Sequence, residues 1–156
     1  MVSGPRPLRE ASPTTSDPVG AQHRVLDGDR SAEWMGTHIV RAERGHAEIR
    51  MRVRPEMLNG FGTVQGGFVF AFADTAFAIA CNDPDETGSI TVAQGVDVNF
   101  LRPAYEGQTL TARAHAVHEG RSGVYDIEVF AQGDDDEDAT PIAIIRGRSR
   151  TVPDRR

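Results

Sequence analysis

Asp74 lies near the middle of the most apolar stretch of this 156-residue chain. Between residues 68 and 81, Asp74 and Thr75 are the two residues that are not apolar. Such a run predicts a helix buried on nearly all sides, because a surface helix would carry one polar face. An unpaired carboxylate there is costly unless a hydrogen bond, a partner charge or a raised pKa relieves it. Asp74 is therefore either a catalytic group or a structural carboxylate that bonds across the helix packing, and perturbed carboxylates concentrate at functional sites.

The length and charge of the chain narrow the class of protein. A chain of 156 residues fits one domain that buries about two thirds of its unfolded surface. The net charge is -6, and all 17 basic residues are arginine. The acidic excess, which includes the run at residues 134–138, would repel phosphate backbones. We expect a single domain at residues 21–152 with no nucleic-acid partner.

The N-terminal residues and the single cysteine bear on the cellular location. Residues 1–20 are polar and rich in proline, serine and threonine, which predicts a disordered arm and no secretion signal. Cys81 has no partner for an intrachain disulfide, which suits a reducing compartment. The central helix is short for a membrane span and carries a charge near its middle. We expect a soluble cytoplasmic protein with no membrane association.

Hydrophobic periodicity places strands on both sides of the central helix. A modest helix is expected at residues 22–35, ended by Gly36. Alternating apolar and polar residues predict six strands, at residues 37–44, 46–54, 90–101, 108–119, 122–132 and 140–151. Short connections between the last four strands predict an antiparallel meander, and one buried helix requires a sheet around it. The predicted fold class is α+β, a curved antiparallel sheet wrapped around a long central helix.

A glycine-rich loop at residues 58–67 leads into the central helix. Its glycines allow close backbone approach, and free N–H groups at a helix N-terminus stabilise an oxygen that becomes negative. The N–H of Gly66 is the natural donor, with Asn59 or Gln65 placed to assist. The loop matches neither a P-loop nor a dinucleotide-binding fingerprint.

The spacing of Gly66 and Asp74 predicts a shared site. Eight helical residues place Asp74 roughly 12 Å beyond Gly66. A reacting carbonyl must lie about 3 Å from both its oxyanion donor and its nucleophile or base. One subunit therefore cannot supply both groups to one site. If both act, Gly66 and Asn59 come from one chain and Asp74 from its twofold mate, with two equivalent sites per homodimer.

Three segments of the chain together resemble a known enzyme family. They are Leu-Asn-Gly-Phe-Gly-Thr-Val-Gln-Gly-Gly with the following Ala-Asp-Thr-Ala at 58–76, Val-Asp-Val-Asn-Phe-Leu-Arg-Pro-Ala at 96–104, and Gly-Arg-Ser-Gly-Val-Tyr-Asp at 120–126. Over about residues 22–152 the chain is similar to the hotdog-fold acyl-CoA thioesterases of the phenylacetate-degradation type.

The resemblance implies a hotdog fold and hydrolysis of aryl- or acyl-CoA thioesters. It also implies assembly as homodimers or as dimers of dimers, which are homotetramers. Coenzyme A enters as part of the substrate, so no separate cofactor is expected. On matching positions, Asp74 is implied as nucleophile or general base and Gly66 as oxyanion donor. Asn59 is implied to hold the thioester carbonyl or the attacking water.

The glycine-rich loop departs from the family pattern at one place. Family members commonly have Asn-Gly-His-Gly-Thr-Cys-His-Gly-Gly, whereas this chain has Phe61, Val64 and Gln65 in place of His, Cys and His. A glutamine amide donates a hydrogen bond but cannot carry a proton at neutral pH. If the family histidine only orients the thioester, Gln65 can replace it. If the histidine must titrate, this protein is slow or inactive.

Further residues are candidates for binding the substrate. Cations are needed for the CoA phosphates, hydroxyl or amide groups for positioning water, and an aromatic ring for one wall of the acyl pocket. The candidates are Arg102, Arg121 and Ser122 for CoA, Thr91 and Gln94 for water, and Phe61 for the wall. Each is also an ordinary strand, turn or loop residue by type. The five histidines lack the spacing of metal ligands, so no metal is expected.

Thioester hydrolysis is the leading hypothesis for the function. An enoyl hydratase or dehydratase on a similar fold needs a proton-shuttling histidine beside a carboxylate, and the loop and helix offer none. A non-enzymatic alternative is an acyl-CoA-binding or regulatory protein that kept the fold, for which Gln65 is the sole support. The resemblance favours an aromatic acyl group such as phenylacetyl, while a medium-length aliphatic chain stays open.

Overall fold

A computed structural model describes residues 21–155. The predicted arm at residues 1–20 lies outside these described residues. The two α-helices and six strands are α1 (Arg30–Met35), β1 (His38–Glu43), β2 (His46–Arg52), α2 (Gly66–Cys81), β3 (Ser89–Phe100), β4 (Thr109–His118), β5 (Ser122–Gln132) and β6 (Thr140–Pro153). Short 3-10 turns occur at Arg24–Leu26 and Pro55–Met57.

The strands form one antiparallel sheet in the order β1-β2-β4-β5-β6-β3. Helix α2 packs against all six strands, so the sheet wraps around it. This confirms the predicted α+β architecture of a curved antiparallel sheet around a central helix. Among residues 21–155, no helix has the length and apolar character needed to cross a membrane.

The predicted meander of the last four strands is wrong in one respect. Strands β4, β5 and β6 are consecutive neighbours, but β3 pairs with β6 at the edge of the sheet. The reason is the long connection after β3, which is no hairpin turn. Its first residue, Leu101, donates its N–H to the carbonyl of Ile142 at 2.8 Å. Further on, the N–H of Gly107 donates to the carbonyl of Val53 at 3.0 Å. The chain therefore enters β4 beside β2, with which β4 pairs.

The single helix predicted at residues 22–35 is also wrong, because the chain breaks it into a 3-10 turn and α1. Gly28, between the two, has a φ of 73°, in the left-handed region that a continuous helix does not visit. Asp29 then caps α1 by accepting hydrogen bonds from backbone N–H groups of its first turn. Gly36 ends α1 with a φ of 68°, as predicted.

The core lies between α2 and the concave face of the sheet. Phe72 and Phe77 are fully buried there. A Cβ at Gly147 would lie 2.6 Å from the ring of Phe77, so glycine at this position of β6 lets the ring pack against the strand. The expectation that α2 is buried on nearly all sides is wrong within one chain. One side of α2 carries a stripe of residues that are only partly buried. They are Phe70, Ala71, Asp74, Ala78 and Cys81.

The segment before α1 is clamped to the C-terminal end of α2. His23 is buried, and its Nδ1 accepts a hydrogen bond from the N–H of Val25 at 3.2 Å. Because Nδ1 is the acceptor, Nε2 carries the proton and donates to the carbonyl of Asn82 at 3.1 Å. Burial lowers the pKa of His23, which favours this neutral form. The clamp positions Val25 over the cavity that contains Asp74.

Candidate active site

Asp74 opens into a largely apolar cavity of about 350 Å³. The lining residues are Val25, Asp74, Phe77, Ala78, Cys81, Asn82, Ile90, Thr91, Val92 and Ala93. Burial raises the pKa of Asp74 above its ordinary value. Within the described part of the chain, no hydrogen bond or ion pair engages its carboxylate. The structural alternative requires a group that bonds to the Asp74 carboxylate across the helix packing, and residues 21–155 provide no such group.

Gly66 begins α2 and opens into a different cleft, of about 490 Å³. Its N–H donates to the Oε1 of Gln65 at 2.9 Å, so the preceding side chain caps the helix. A Cβ at Gly66 would lie 3.0 Å from the ring of Phe100, which packs over the glycine. Because Gln65 is exposed, its side chain can rotate away and leave the N–H free for a substrate oxygen.

Asn59 holds the shape of the glycine-rich loop. Its Oδ1 accepts hydrogen bonds from the N–H groups of Phe61 at 2.9 Å and Thr63 at 3.3 Å. Its Nδ2 donates to the Oγ1 of Thr63 at 3.1 Å. Asn59 is not among the residues that line the Gly66 cleft within one chain. Phe61 projects from the same loop and is 94% exposed, so in a single chain it walls no pocket.

The two proposed catalytic groups are not brought together by one chain. The Asp74 cavity and the Gly66 cleft have no lining residue in common. Eight residues of α2 separate the two groups, which is about 12 Å along the axis. An active site that uses both must therefore draw them from different subunits.

Thr91 and Gln94 on β3 have different surroundings. Thr91 lines the Asp74 cavity, and its Oγ1 lies 2.8 Å from the Oγ1 of Thr151. Gln94 is exposed at a bulge, where the register of β3 against β6 shifts between Ala93 and Gly95. Thr91 is therefore within reach of a molecule in the cavity, whereas Gln94 lines neither that cavity nor the Gly66 cleft.

The candidate cations for CoA are also separated. Arg102 lines the Gly66 cleft and donates through Nη1 to the carbonyl of Pro141 at 3.0 Å. Arg121 lines a third cleft, of about 640 Å³, which shares Cys81 but not Asp74 with the Asp74 cavity. Ser122 is exposed at the start of β5 beside Arg121. Arg102 is thus the candidate that shares a cleft with the proposed oxyanion donor.

Asn82 is a site residue that the sequence reasoning missed. Its Nδ2 donates to the carbonyl of Thr91, and its Oδ1 accepts from the N–H of the same residue, both at 2.9 Å. The pair holds the start of β3 against the end of α2, and so shapes the Asp74 cavity. A polar residue directly after a long apolar helix was the available signal. Within residues 21–155, no group of three or more metal-ligating side chains is present, and the expected lack of a metal stays a prediction.

Comparison with known proteins places this chain in a family. The sequence model of the Thioesterase superfamily matches residues 61–137, which include α2 through Cys81 and all of β3, β4 and β5. Acyl-coenzyme A thioesterase PaaI of Escherichia coli (strain K12) is 39% identical over 131 residues, covering 83% of this chain and 88% of that protein. The chain belongs to the thioesterase superfamily.

A solved structure and a second enzyme are also similar to this member of the thioesterase superfamily. The structure of the E. coli PaaI protein from the phenylacetic acid degradation operon matches with a TM-score of 0.74 and 38% identity, covering 82% of this chain and 88% of that one. A 1,4-dihydroxy-2-naphthoyl-CoA hydrolase of Listeria monocytogenes serotype 1/2a (strain 10403S) is 30% identical over 98 residues, covering 62% of this chain and 79% of that protein. These matches confirm the hotdog fold and the prediction of an enzyme of the thioesterase class.

Proposed function

We propose that this protein hydrolyses an acyl-CoA thioester to a free acid and CoA at a site shared by two subunits. The observation that carries the proposal is the Asp74 carboxylate, which has no partner among residues 21–155 and opens into a largely apolar cavity. A carboxylate held this way is available as a nucleophile or a base. The names of the relatives support the substrate class, since two of them are an acyl-CoA thioesterase and an acyl-CoA hydrolase.

The edge strand β3 suggests how two subunits share the site. Its free edge lies at one end of the sheet, and exposed Val92, Phe100 and Leu101 lie on it or directly after it. The Phe100 end packs on Gly66, while the Ile90–Ala93 end lines the Asp74 cavity. Antiparallel pairing of two β3 edges sets the Phe100 end of one strand beside the Ile90 end of the other. That arrangement brings Gly66 of one subunit toward Asp74 of its mate, twice per twofold dimer.

The partly buried stripe of α2 supports the same assembly. It holds Asp74 among apolar side chains that its own sheet does not cover, including Phe70 and Ala78. An uncovered apolar face of this kind favours burial against a second copy. The family resemblance extends the proposal to a homotetramer built from two such dimers. We further propose that the enzyme works in the cytoplasm.

The proposed reaction begins when the thioester carbonyl oxygen replaces Gln65 Oε1 as the acceptor of the Gly66 N–H. This hydrogen bond stabilises the negative charge that develops on that oxygen. Asp74 either attacks the carbonyl carbon directly or removes a proton from the attacking water. The C–S bond then breaks, and CoA leaves as the thiolate, which takes up a proton. Direct attack passes through an acyl-enzyme anhydride that water then hydrolyses. Direct attack and general-base catalysis both use the Gly66 N–H and the Asp74 carboxylate.

An aryl-CoA such as phenylacetyl-CoA is the proposed substrate. The Asp74 cavity is lined mainly by apolar side chains, with the ring of Phe77 on one wall. The open Gly66 cleft, where Arg102 lies, is the proposed route for the CoA arm. The test is thiol release from a panel of acyl-CoA esters by the wild-type protein. Tight acyl-CoA binding with no thiol release would instead support the binding-protein alternative.

Replacing Gln65 with histidine is expected to change turnover by less than about tenfold. The reason is that Gln65 caps the Gly66 N–H only until the thioester oxygen replaces it and takes no proton in the reaction, so a neutral imidazole can serve as the same acceptor. The measurement is kcat and KM for phenylacetyl-CoA, with Gln65→Ala as the comparison that removes the polar side chain. A rise in kcat of a hundredfold or more would show that the native loop is a weakened catalyst, and would favour the binding-protein alternative.

A further inference from the structure

The Asp74 cavity extends in one direction along α2. Every α2 residue that lines it is Asp74 itself or follows it, namely Phe77, Ala78 and Cys81. Cys81 lies two helical turns beyond Asp74, roughly 10 Å along the axis. A molecule that begins beside the carboxylate and fills the cavity therefore runs toward the C-terminal end of the helix.

At that end a wall of three residues lies between the cavity and a second cleft. Cys81, Asn82 and Thr91 line both the Asp74 cavity and the 640 Å³ cleft beyond it. The carboxamide of Asn82 is fixed by its two hydrogen bonds to Thr91 and by a third to the carbonyl of Ala78 at 2.9 Å. Cys81 is held more weakly, with its Sγ 3.7 Å from the carbonyl of Ala78 and 3.8 Å from that of Thr91. The small thiol is the part of the wall that a substitution can remove without breaking the strong hydrogen bonds.

The cleft beyond the wall can receive a ligand atom. Tyr125 lines it, and its hydroxyl, which no hydrogen bond within residues 21–155 engages, is reached by solvent. The ring of Tyr125 lies 5.4 Å, centroid to centroid, from the ring of Phe77, which lines the Asp74 cavity. At this ring pair two side chains separate the two spaces, whereas at Cys81, Asn82 and Thr91 a single layer of residues does.

We infer that Cys81 is the end wall of the acyl pocket and limits the length of acyl group that this enzyme accepts. The inference rests on the proposed function, because it takes the group beside Asp74 to be a thioester carbonyl. The acyl group then points toward Cys81, and the CoA arm leaves by the Gly66 cleft. The α-carbons of Asp74 and Cys81 are roughly 10 Å apart along the helix, and their own side chains occupy part of that distance. The remaining space fits one aromatic ring or a short aliphatic chain, and excludes long fatty acyl groups.

The test is a length profile of kcat/KM with acetyl-, phenylacetyl-, hexanoyl- and decanoyl-CoA. The wild-type enzyme is expected to use decanoyl-CoA at least about tenfold less well than phenylacetyl-CoA. Cys81→Gly joins the two spaces, and the ratio of decanoyl- to phenylacetyl-CoA should rise by about tenfold or more. Cys81→Leu fills the pocket, so phenylacetyl-CoA hydrolysis should fall by a similar factor while acetyl-CoA hydrolysis is kept.

Ala80→Gly is the matched control for the glycine variant. Ala80 lies on the same turn, is 1% exposed and lines neither space, so this change weakens the helix without opening the wall. It should leave the length profile unchanged. A wild-type enzyme that prefers decanoyl-CoA would overturn the inference even if the variants failed to fold.

Two other outcomes separate the inference from the proposed function. If Cys81 variants change kcat/KM by one factor for every acyl length, the CoA arm and not the acyl group passes Cys81, and the inference is overturned. The proposed function survives that result as long as thiol release depends on Asp74. If the wild-type protein releases no thiol from any ester, or if release does not depend on Asp74, both fail.

Discussion

Replacing Asp74 with asparagine is expected to lower kcat for phenylacetyl-CoA by about 10²- to 10⁴-fold. The amide is nearly the same size as the carboxyl group, but it neither attacks a carbonyl nor removes a proton from water. The measurement is steady-state thiol release. The control is Asp126→Asn, which removes an exposed ion pair with Arg146 on the outer part of the sheet. We expect that control to keep wild-type turnover.

The same substitution is expected to leave the melting temperature unchanged or to raise it. Burial raises the pKa of Asp74, so the folded protein binds this proton more tightly than the unfolded chain. The ionised carboxylate therefore costs stability at neutral pH, and asparagine removes that cost. A structural carboxylate would show the opposite result, a large fall in melting temperature from lost hydrogen bonds. Full turnover by Asp74→Asn would remove Asp74 from the mechanism.

Replacing Gly66 with proline is expected to lower kcat by about 10²- to 10³-fold, because it deletes the N–H that the oxyanion needs. The helix tolerates the change, since Gly66 is its first residue and proline is common there. Gln65, with a φ of -59° and a ψ of 128°, already has the extended backbone that a following proline requires. The measurement is kcat together with a thermal melt that shows retained folding.

Gly66→Ala is the matched control, because alanine keeps the N–H while adding the same Cβ. That Cβ would meet the Phe100 ring at 3.0 Å, so the ring must shift by a few tenths of an ångström. We expect Gly66→Ala to keep turnover within about tenfold of wild type, since the oxyanion donor remains. If alanine proves as damaging as proline, the space above Gly66 matters and the donor does not. If both variants stay fully active, the oxyanion role of Gly66 is wrong.

Much of the fold followed from local sequence patterns. The apolar run at residues 68–81 is too long for a strand, so it predicted α2. In β2, buried Ala47, Ile49 and Met51 alternate with more exposed polar residues, as the period of two required. Gly45, at the hairpin between β1 and β2, has a φ of 77°, which explains the choice of glycine at this turn. A single charge within an apolar run likewise singled out Asp74.

Other features depended on contacts between distant parts of the chain. The position of β3 beside β6 is decided by the path of residues 101–108, whose hydrogen bonds to Ile142 and Val53 no local pattern reveals. The wall between the two cavities joins the end of α2 to the start of β3 through Asn82 and Thr91. The partly buried stripe of α2 was also hidden, because composition does not distinguish burial by the same chain from burial by a second copy.

Mixing two inactive variants tests the shared site most directly. Asp74→Asn and Gly66→Pro subunits are combined, and their exchange is confirmed by native mass spectrometry. Each heterodimer then has one site with an intact Gly66 and an intact Asp74 from different chains, and random exchange predicts recovery of about a quarter of wild-type activity. Activity that stays at the level of the separate variants, despite confirmed exchange, would contradict a site built from two subunits.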